Sequence, residues 1–352
     1  MIRVGLVGFG LGGRVLHAPV ISSVEGIELA AVLERSSDKA AERYPGIATY
    51  RTLEAMLADA SLDLFVVTTP SGTHFELAHQ ILSAGRNVVV DKPMCARSAE
   101  IAELMALAKK KNALLAPYHN RRWDSDFLTV RKLLAEGTLD RMVSFEAAMD
   151  RWRPGTTRAA WKNDPAQGGG LLLDLGSHLA YIAMVLFGLP EAVSAEVGRE
   201  RDGEGSDDSF TMRLRYGVLT ATLAANNLAA EPRPRFSLRG TAGGYIKRGV
   251  DPQEGALNHV TRIDDHEWGR EPEAEWGTLL LDCEGTLVST RVEPERGDYR
   301  LFYAGVRDAL LSKGPAPVEA LEAWRAIRLL EYAVESSQAR REIACDWSAE
   351  PV

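Results

Sequence analysis

Residues 171–188 read LLLDLGSHLAYIAMVLFG, a helical stretch that is apolar around most of its circumference. One strip is polar: Asp174, Ser177, His178 and Tyr181 fall at i, i+3, i+4 and i+7, which places them on one face. A helix apolar on its other sides belongs in an interior, and an acid and an imidazole buried there are costly without partners. Histidine titrates near neutrality and suits a proton-transfer step. Asp174, one turn earlier, could fix the tautomer of that ring or bind a substrate hydroxyl. An Asp/His pair at i, i+4 also suits a metal, but no third and fourth ligand cluster accompanies it, so no metal is expected.

A second candidate lies at the N-terminus. Gly8-Phe9-Gly10-Leu11-Gly12-Gly13 fits G-x-G-x-x-G, follows a first strand-like run and opens a helix-like one. That context is what a dinucleotide site requires. Gly8 allows the tight turn, Gly10 lets backbone approach a pyrophosphate, and Gly13 brings helix and strand together. The helix N-terminus adds free N–H groups and partial positive charge. An acid is expected about 20 residues on, at the end of the second strand, and Glu34 stands there. A carboxylate accepts ribose hydroxyls and repels a 2′-phosphate, which favours NAD. Arg35 and Ser36 follow directly and could hold that phosphate instead, as NADP requires.

The elements that would position these groups alternate in the first part of the chain. Strand-like runs IRVGLVGF, IELAAVLE, LDLFVVTTP, NVVVDKP and ALLAPYH are separated by helical patterns, and their continuous Val/Leu/Ile content marks strands covered on both faces. Past residue 122 strands follow one another, and in FTMRLRY apolar Phe210, Met212, Leu214 and Tyr216 alternate with polar residues. That is a sheet with one covered face; the polar face is either solvated or an oligomer contact. Segment 251–276 reads as a long, turn-rich acidic excursion. Leu321, Trp324, Ile327, Leu330 and Val334 form an amphipathic helical stripe. The expected division is 1–121, a Rossmann-type dinucleotide-binding domain, and 122–352, a substrate-binding and oligomerisation domain.

The bulk numbers narrow the function classes. A chain of 352 residues has room for two domains, and its net charge of −8 argues against nucleic acid or an anionic membrane surface as the main partner. Three scattered cysteines suggest neither a disulfide framework nor a zinc cluster. No signal-like leader and no apolar run of about 18 residues is evident, so a cytoplasmic location is expected.

The runs GLVGFGLGGRVLHAP, TTPSGTHFELAHQILSAGRNVVVDKP, YHNRRWDSDF and GGGLLLDLGSH, in that order, resemble the glucose–fructose oxidoreductase/inositol dehydrogenase (Gfo/Idh/MocA) family over nearly the whole chain. HNRRWDSDFLTV with DRWRP is similar to the NADP-using scyllo-inositol dehydrogenase subgroup, which carries Thr/Ser-Arg where this chain has Glu34-Arg35-Ser36. The resemblance implies a Rossmann domain followed by an α+β domain built on an open, predominantly antiparallel mixed sheet, with the active site between them. It makes Lys92 of Asp91-Lys92-Pro93 catalytic, with Asp91 beside the cofactor and Lys92-Pro93 a candidate cis peptide. It assigns Thr69, Pro70 and His74 to the nicotinamide-flanking loop, His74 as an orienting neighbour, and it sets Asn120 to contact cofactor or substrate. Asp174 and His178 become catalytic with Lys92, which stabilises charge on the reacting oxygen.

The implied reaction is NAD- or NADP-dependent oxidation of a secondary alcohol of a cyclic polyol or sugar, inositol-like, or the reverse. Polyols offer hydroxyls and a ring face, so Arg122, Trp123, Asp124, Trp152 and Arg153 are further candidate substrate contacts. The family also contains glycosidases that oxidise their sugar transiently and a non-catalytic regulator. Both stand as alternatives. A homodimer or homotetramer is expected.

Overall fold

The computed structural model describes residues 1–155, 160–164 and 167–351. Its first sheet is built from β1 (Ile2–Val7), β2 (Ile27–Leu33), β3 (Ala48–Tyr50), β4 (Leu64–Val67), β5 (Asn87–Asp91) and β6 (Leu115–Tyr118). Their spatial order is β3-β2-β1-β4-β5-β6, and every ladder is parallel. Phe65, Val66, Val67 and Val88 to Val90 are wholly inaccessible to solvent, as strands covered on both faces must be. Between β1 and β4 the strand order reverses, which opens a crevice at the carboxyl ends of the strands. Gly8, Thr69 and Lys92 all follow strands that end there.

The second sheet has nine strands: β7 (Met142–Ala148), β8 (Ala192–Gly198), β9 (Ser209–Tyr216), β10 (Leu219–Asn226), β11 (Phe236–Gly240), β12 (Gly243–Lys247), β13 (Gly277–Cys283), β14 (Thr286–Val292) and β15 (Ile343–Ala344). They lie in the order β14-β13-β12-β11-β7-β10-β9-β8-β15. β7 and β10 run parallel and the other pairs antiparallel, so the sheet is mixed and mostly antiparallel. In β9 Phe210, Met212 and Leu214 are buried while Thr211, Arg213 and Arg215 are exposed, as the alternation requires. The helix Ala320–Ala339 packs on β8 and on the helix Ser177–Phe187. It buries Trp324, Ile327 and Leu330, with Val334 at its rim.

The two sheets are tied together by long-range contacts. Glu331 of the helix Ala320–Ala339 accepts bonds from the Ser98 backbone N–H (2.8 Å) and hydroxyl (2.7 Å), at the start of the helix Ser98–Lys111. Segment 251–276 is more ordered than its turn-rich sequence suggests. It contains the helix Gln253–Leu257 and buries Trp268, whose indole N–H donates to Gln253 Oε1 (3.0 Å). It also reaches the first sheet's layer. The Ile263 N–H donates to Ser23 Oγ (2.6 Å), and the Tyr44 hydroxyl donates to the Thr261 carbonyl (3.0 Å). No helix among the described residues is long and apolar enough to cross a membrane.

Candidate active site

The glycine loop has the shape a dinucleotide needs. Gly8 holds φ +101°, a left-handed conformation that side chains rarely adopt. A Cβ on Gly13 would collide with the Gly8 carbonyl oxygen, whereas one on Gly10 would meet open space. Close packing at one glycine and vacancy at the other leave a cradle for pyrophosphate. The chain after it winds as a π-helix over Gly12–His17 before the α-turn Ala18–Ile21, a form that recurs at functional sites. Phe9 turns its ring inward onto Tyr44, with centroids 6.2 Å apart, so only its backbone is left to the loop.

Glu34 stands directly after β2, with its side chain turned inward. Its carboxylate accepts the Ser37 hydroxyl (2.5 Å) and the Ala40 backbone N–H (2.8 Å), and the side chain is buried. The short turn to the helix Lys39–Arg43 brings those donors within reach. Arg35 and Ser36 are exposed beside it.

Lys92-Pro93 is a cis peptide. His74 is buried against it: Nδ1 lies 2.8 Å from the Pro93 carbonyl oxygen and Nε2 lies 2.8 Å from the Thr69 carbonyl oxygen. The ring therefore braces the loop of Thr69 and Pro70 against the Lys92 turn, with both nitrogens engaged by backbone carbonyls. Burial lowers its pKa. Asp91 Oδ1 accepts the Lys92 backbone N–H (2.8 Å) and lies 3.5 Å from His17 Nε2. Burial would raise the Asp91 carboxyl, but His17 and Lys92 outweigh it and its pKa is lowered. His17, whose Nδ1 meets the Tyr303 hydroxyl at 2.6 Å, was given no role from sequence; its only signal was its place in VLHAP.

The polar stripe meets this turn from the second sheet's side. Leu172–Gly176 is π-helical and Ser177–Phe187 α-helical, so the stripe is split across two windings. Lys92 Nζ donates to Asp174 Oδ1 (2.9 Å) and to the Asp174 carbonyl (3.0 Å), and Lys162 Nζ donates to Asp174 Oδ2 (3.2 Å). Burial would raise the Asp174 carboxyl, yet the two ammonium groups hold it well below the usual carboxylate range. Asp174 thus serves the lysines and makes no bond to His178, which corrects the idea that it fixes the tautomer.

His178 is buried, and its Nδ1 has no partner among the described residues. Burial, with Lys92 nearby, pushes its pKa well below the ordinary histidine value. Beside it His119 lies 6.4 Å away centroid to centroid and stacks on Tyr181 at 4.1 Å; burial and Lys92 push His119 down to about 3.

Several expected substrate contacts are used elsewhere. Asp124 is wholly buried, accepting from Arg121 Nη1 (3.0 Å) and the Tyr299 hydroxyl (2.6 Å). Burial raises its pKa well above the ordinary value despite Arg121. Arg122 donates to the Tyr181 hydroxyl (2.7 Å) and Glu322 (3.0 Å). Trp123 packs edge-on against Phe302 at 5.8 Å. Trp152 is 59% exposed and does not line the cleft. For Asp124, Arg122 and Trp123 the residue type suited a sugar, but an ion pair or an aromatic cluster claims the side chain. Asn120 is buried in the turn Asn120–Trp123 directly after β6.

Arg153 does line the cleft around Asp174, together with Arg151, Lys162 and Asn227. Arg151 belongs to the DRWRP run, whereas Lys162 and Asn227 had no motif to mark them, because they meet only through the fold. Glu254, on the helix Gln253–Leu257, was also missed. It accepts from Arg121 Nη2 (2.6 Å), and Arg121, then Lys92 and Arg151, hold its pKa down against burial. Among the described residues no cluster of His, Cys, Asp and Glu is arranged to hold a metal ion.

Comparison with known proteins agrees with this layout. Residues 2–119 match a model described as oxidoreductase family, NAD-binding Rossmann fold, and residues 131–345 match the family's C-terminal alpha/beta domain. The chain is 38% identical to the uncharacterized oxidoreductase YdgJ of Escherichia coli, with 96% of this chain and 97% of that one covered. It is 34% identical to scyllo-inositol 2-dehydrogenase (NADP(+)) IolW of Bacillus subtilis, covering 97% and 95% respectively. Among solved structures, the Bacillus subtilis oxidoreductase yvaA superposes with a TM-score of 0.94 at 33% identity, over 98% of both chains. With a Rossmann sheet, a mixed sheet and the cleft between them in place, the chain is a member of the Gfo/Idh/MocA oxidoreductase family.

Proposed function

We propose that this protein interconverts a secondary alcohol of a cyclic polyol or sugar and the corresponding ketone, with NADP(H) as the preferred hydride carrier. One observation carries the reading: Lys92, at the end of a parallel strand in the dinucleotide layer, is bonded to Asp174 from the opposite layer, with His178, whose Nδ1 has no partner among the described residues, one turn further on. With its pyrophosphate in the glycine cradle, the dinucleotide would supply the hydride acceptor. Lys92 then donates a hydrogen bond to the reacting oxygen and stabilises its negative charge as it develops. His178, neutral because it is buried, accepts the hydroxyl proton and returns it in the reverse direction. Asp174 holds the Lys92 ammonium in place, and Lys162 balances its second oxygen.

The preference for NADP rests on Glu34 and its neighbours. The carboxylate is turned inward onto Ser37 and Ala40, and exposed Arg35 and Ser36 are suited to hold a 2′-phosphate. The NADP-dependence of the relative IolW, 34% identical, agrees with that choice. The test is reduced-nicotinamide absorbance with a panel of inositols and aldoses, NADP+ and NAD+ in parallel. Faster growth with NADP+, lost in Arg35→Ala while NAD+ turnover persists, is expected. Oxidation with NAD+ alone would overturn the cofactor choice, and no oxidation by either dinucleotide would overturn the reaction.

A further inference from the structure

The cleft around Asp174 carries more positive charge than the proposed chemistry uses. Four cations line it: Arg151, Arg153, Lys162 and Arg201. Lys162 is matched by Asp174 and Arg201 by Asp208, at 3.2 Å and 2.7 Å. The remaining acid of the wall, Asp207, is taken by the Leu172 backbone N–H (2.6 Å) at the start of the π-helical turn. Arg151 and Arg153 have no carboxylate at ion-pair distance among the described residues. Arg151 is half-buried and Arg153 exposed; burial lowers the pKa of Arg151 and neighbouring Arg153 adds to the fall, with Asp174 and Glu254 partly compensating.

Two neighbouring guanidinium groups, one half-buried and neither in an ion pair, repel each other, and an anionic ligand bonded to both relieves that cost. The same wall holds a second unfilled valence. Asn227 is buried, lines the cleft, and its Oδ1 has no partner. It offers an acceptor to a hydroxyl beside the two guanidinium donors.

We propose that the substrate of this site is an acidic sugar or polyol whose anionic oxygen group, a carboxylate or phosphate ester, is held by Arg151 and Arg153. This rests on the reading of the cleft as a polyol or sugar oxidoreductase site. Asp174 is the shared boundary: one carboxylate oxygen faces Lys92 and the reacting alcohol, the other faces Lys162 and the cationic wall. A guanidinium accommodates a carboxylate or a phosphate in the same forked geometry. The hydroxyl next to the anionic group donates to Asn227. A neutral inositol would leave the mutual repulsion of the two guanidinium groups in place.

Matched pairs test this: glucose against glucuronate and glucose 6-phosphate, and myo-inositol against its 1-phosphate. Two readouts are needed, the initial rate of nicotinamide reduction and calorimetric affinity for the chain saturated with NADP+. At least one anionic member is expected to show a KM and Kd lower than its neutral partner by about ten-fold or more, the range of a charged hydrogen bond. That advantage should shrink in Arg153→Gln and in Arg151→Gln, and should fall as salt is raised about ten-fold, because an exposed guanidinium is screened. Carboxylate and phosphate arms separate the two sources of charge. Neutral sugars bound as tightly as their anionic partners would overturn the inference while leaving the oxidoreductase reading intact. Tight, Arg153-dependent anion binding with no oxidation of any alcohol would support the anion site and overturn the oxidoreductase reading instead.

Discussion

Lys92 Nζ sits 2.9 Å from Asp174 Oδ1 and 3.0 Å from the Asp174 carbonyl oxygen, joining the end of β5 to the π-helical turn of the opposite layer. Two bonds from one ammonium to one residue leave the lysine little freedom, which is the pre-organisation that charge stabilisation in a transition state requires. The Asp174 carboxylate is the acceptor that fixes it.

Asp174→Asn should therefore lower turnover by about 10²-fold, the scale for disturbing such a donor, with dinucleotide affinity retained. It should also change the acid limb of stability. A carboxyl whose folded pKa is depressed stabilises the fold above its ordinary value, near pH 4, and that contribution fades as pH falls toward the folded pKa. The stability gap between wild type and Asp174→Asn, followed by urea unfolding, should be widest above about pH 5 and narrow as pH falls toward about 2. A gap independent of pH would contradict the pairing.

For His178, burial and the Lys92 charge keep the ring neutral far below the ordinary value of about 6.5. The rate of alcohol oxidation should then show no inflection from this ring between about pH 6 and 8, and His178→Gln should lose about 10²- to 10⁴-fold. An inflection near pH 6.5 that disappears in His178→Gln would show instead that the ring titrates freely in the working enzyme.

The glycine loop allows a paired prediction. Gly10→Ala places a methyl in the open cradle, so the fold should keep its stability while NADP+ affinity falls. Gly13→Ala drives its methyl into the Gly8 carbonyl oxygen and should cost about 1–3 kcal/mol of stability, as overpacking does. Thermal unfolding and fluorescence titration with NADPH check both. Equal destabilisation by the two changes would mean that the cradle is not open.

Much of this layout was legible in the chain because it is written locally. Strands β1, β2, β4, β5 and β6 announce themselves as unbroken apolar runs, and β7 to β10 by length or alternation. Strands β3, β11, β12 and β15 are short, and β14 is exposed along most of its length, so periodicity had little to register. At the site, Gly8, Gly10, Gly13 and the Lys92-Pro93 turn follow from local backbone needs. The partnership of Asp174 does not. Lys92 is 82 positions away in sequence, and Lys162 lies in no recognisable pattern. For Glu34 the place at the end of the strand was legible, but not the bond its side chain accepts from Ser37 three residues later.

The measurement that tests the central claim most directly is single-turnover hydride transfer, read from reduced-nicotinamide absorbance, in wild type and Lys92→Met at saturating dinucleotide and substrate. The predicted result is unimpaired NADP+ binding by Lys92→Met with hydride transfer slowed by about 10²-fold or more. Transfer at the wild-type rate in Lys92→Met would contradict the account, since the Lys92–Asp174 pair would then be a strut between the two layers and no part of the chemistry.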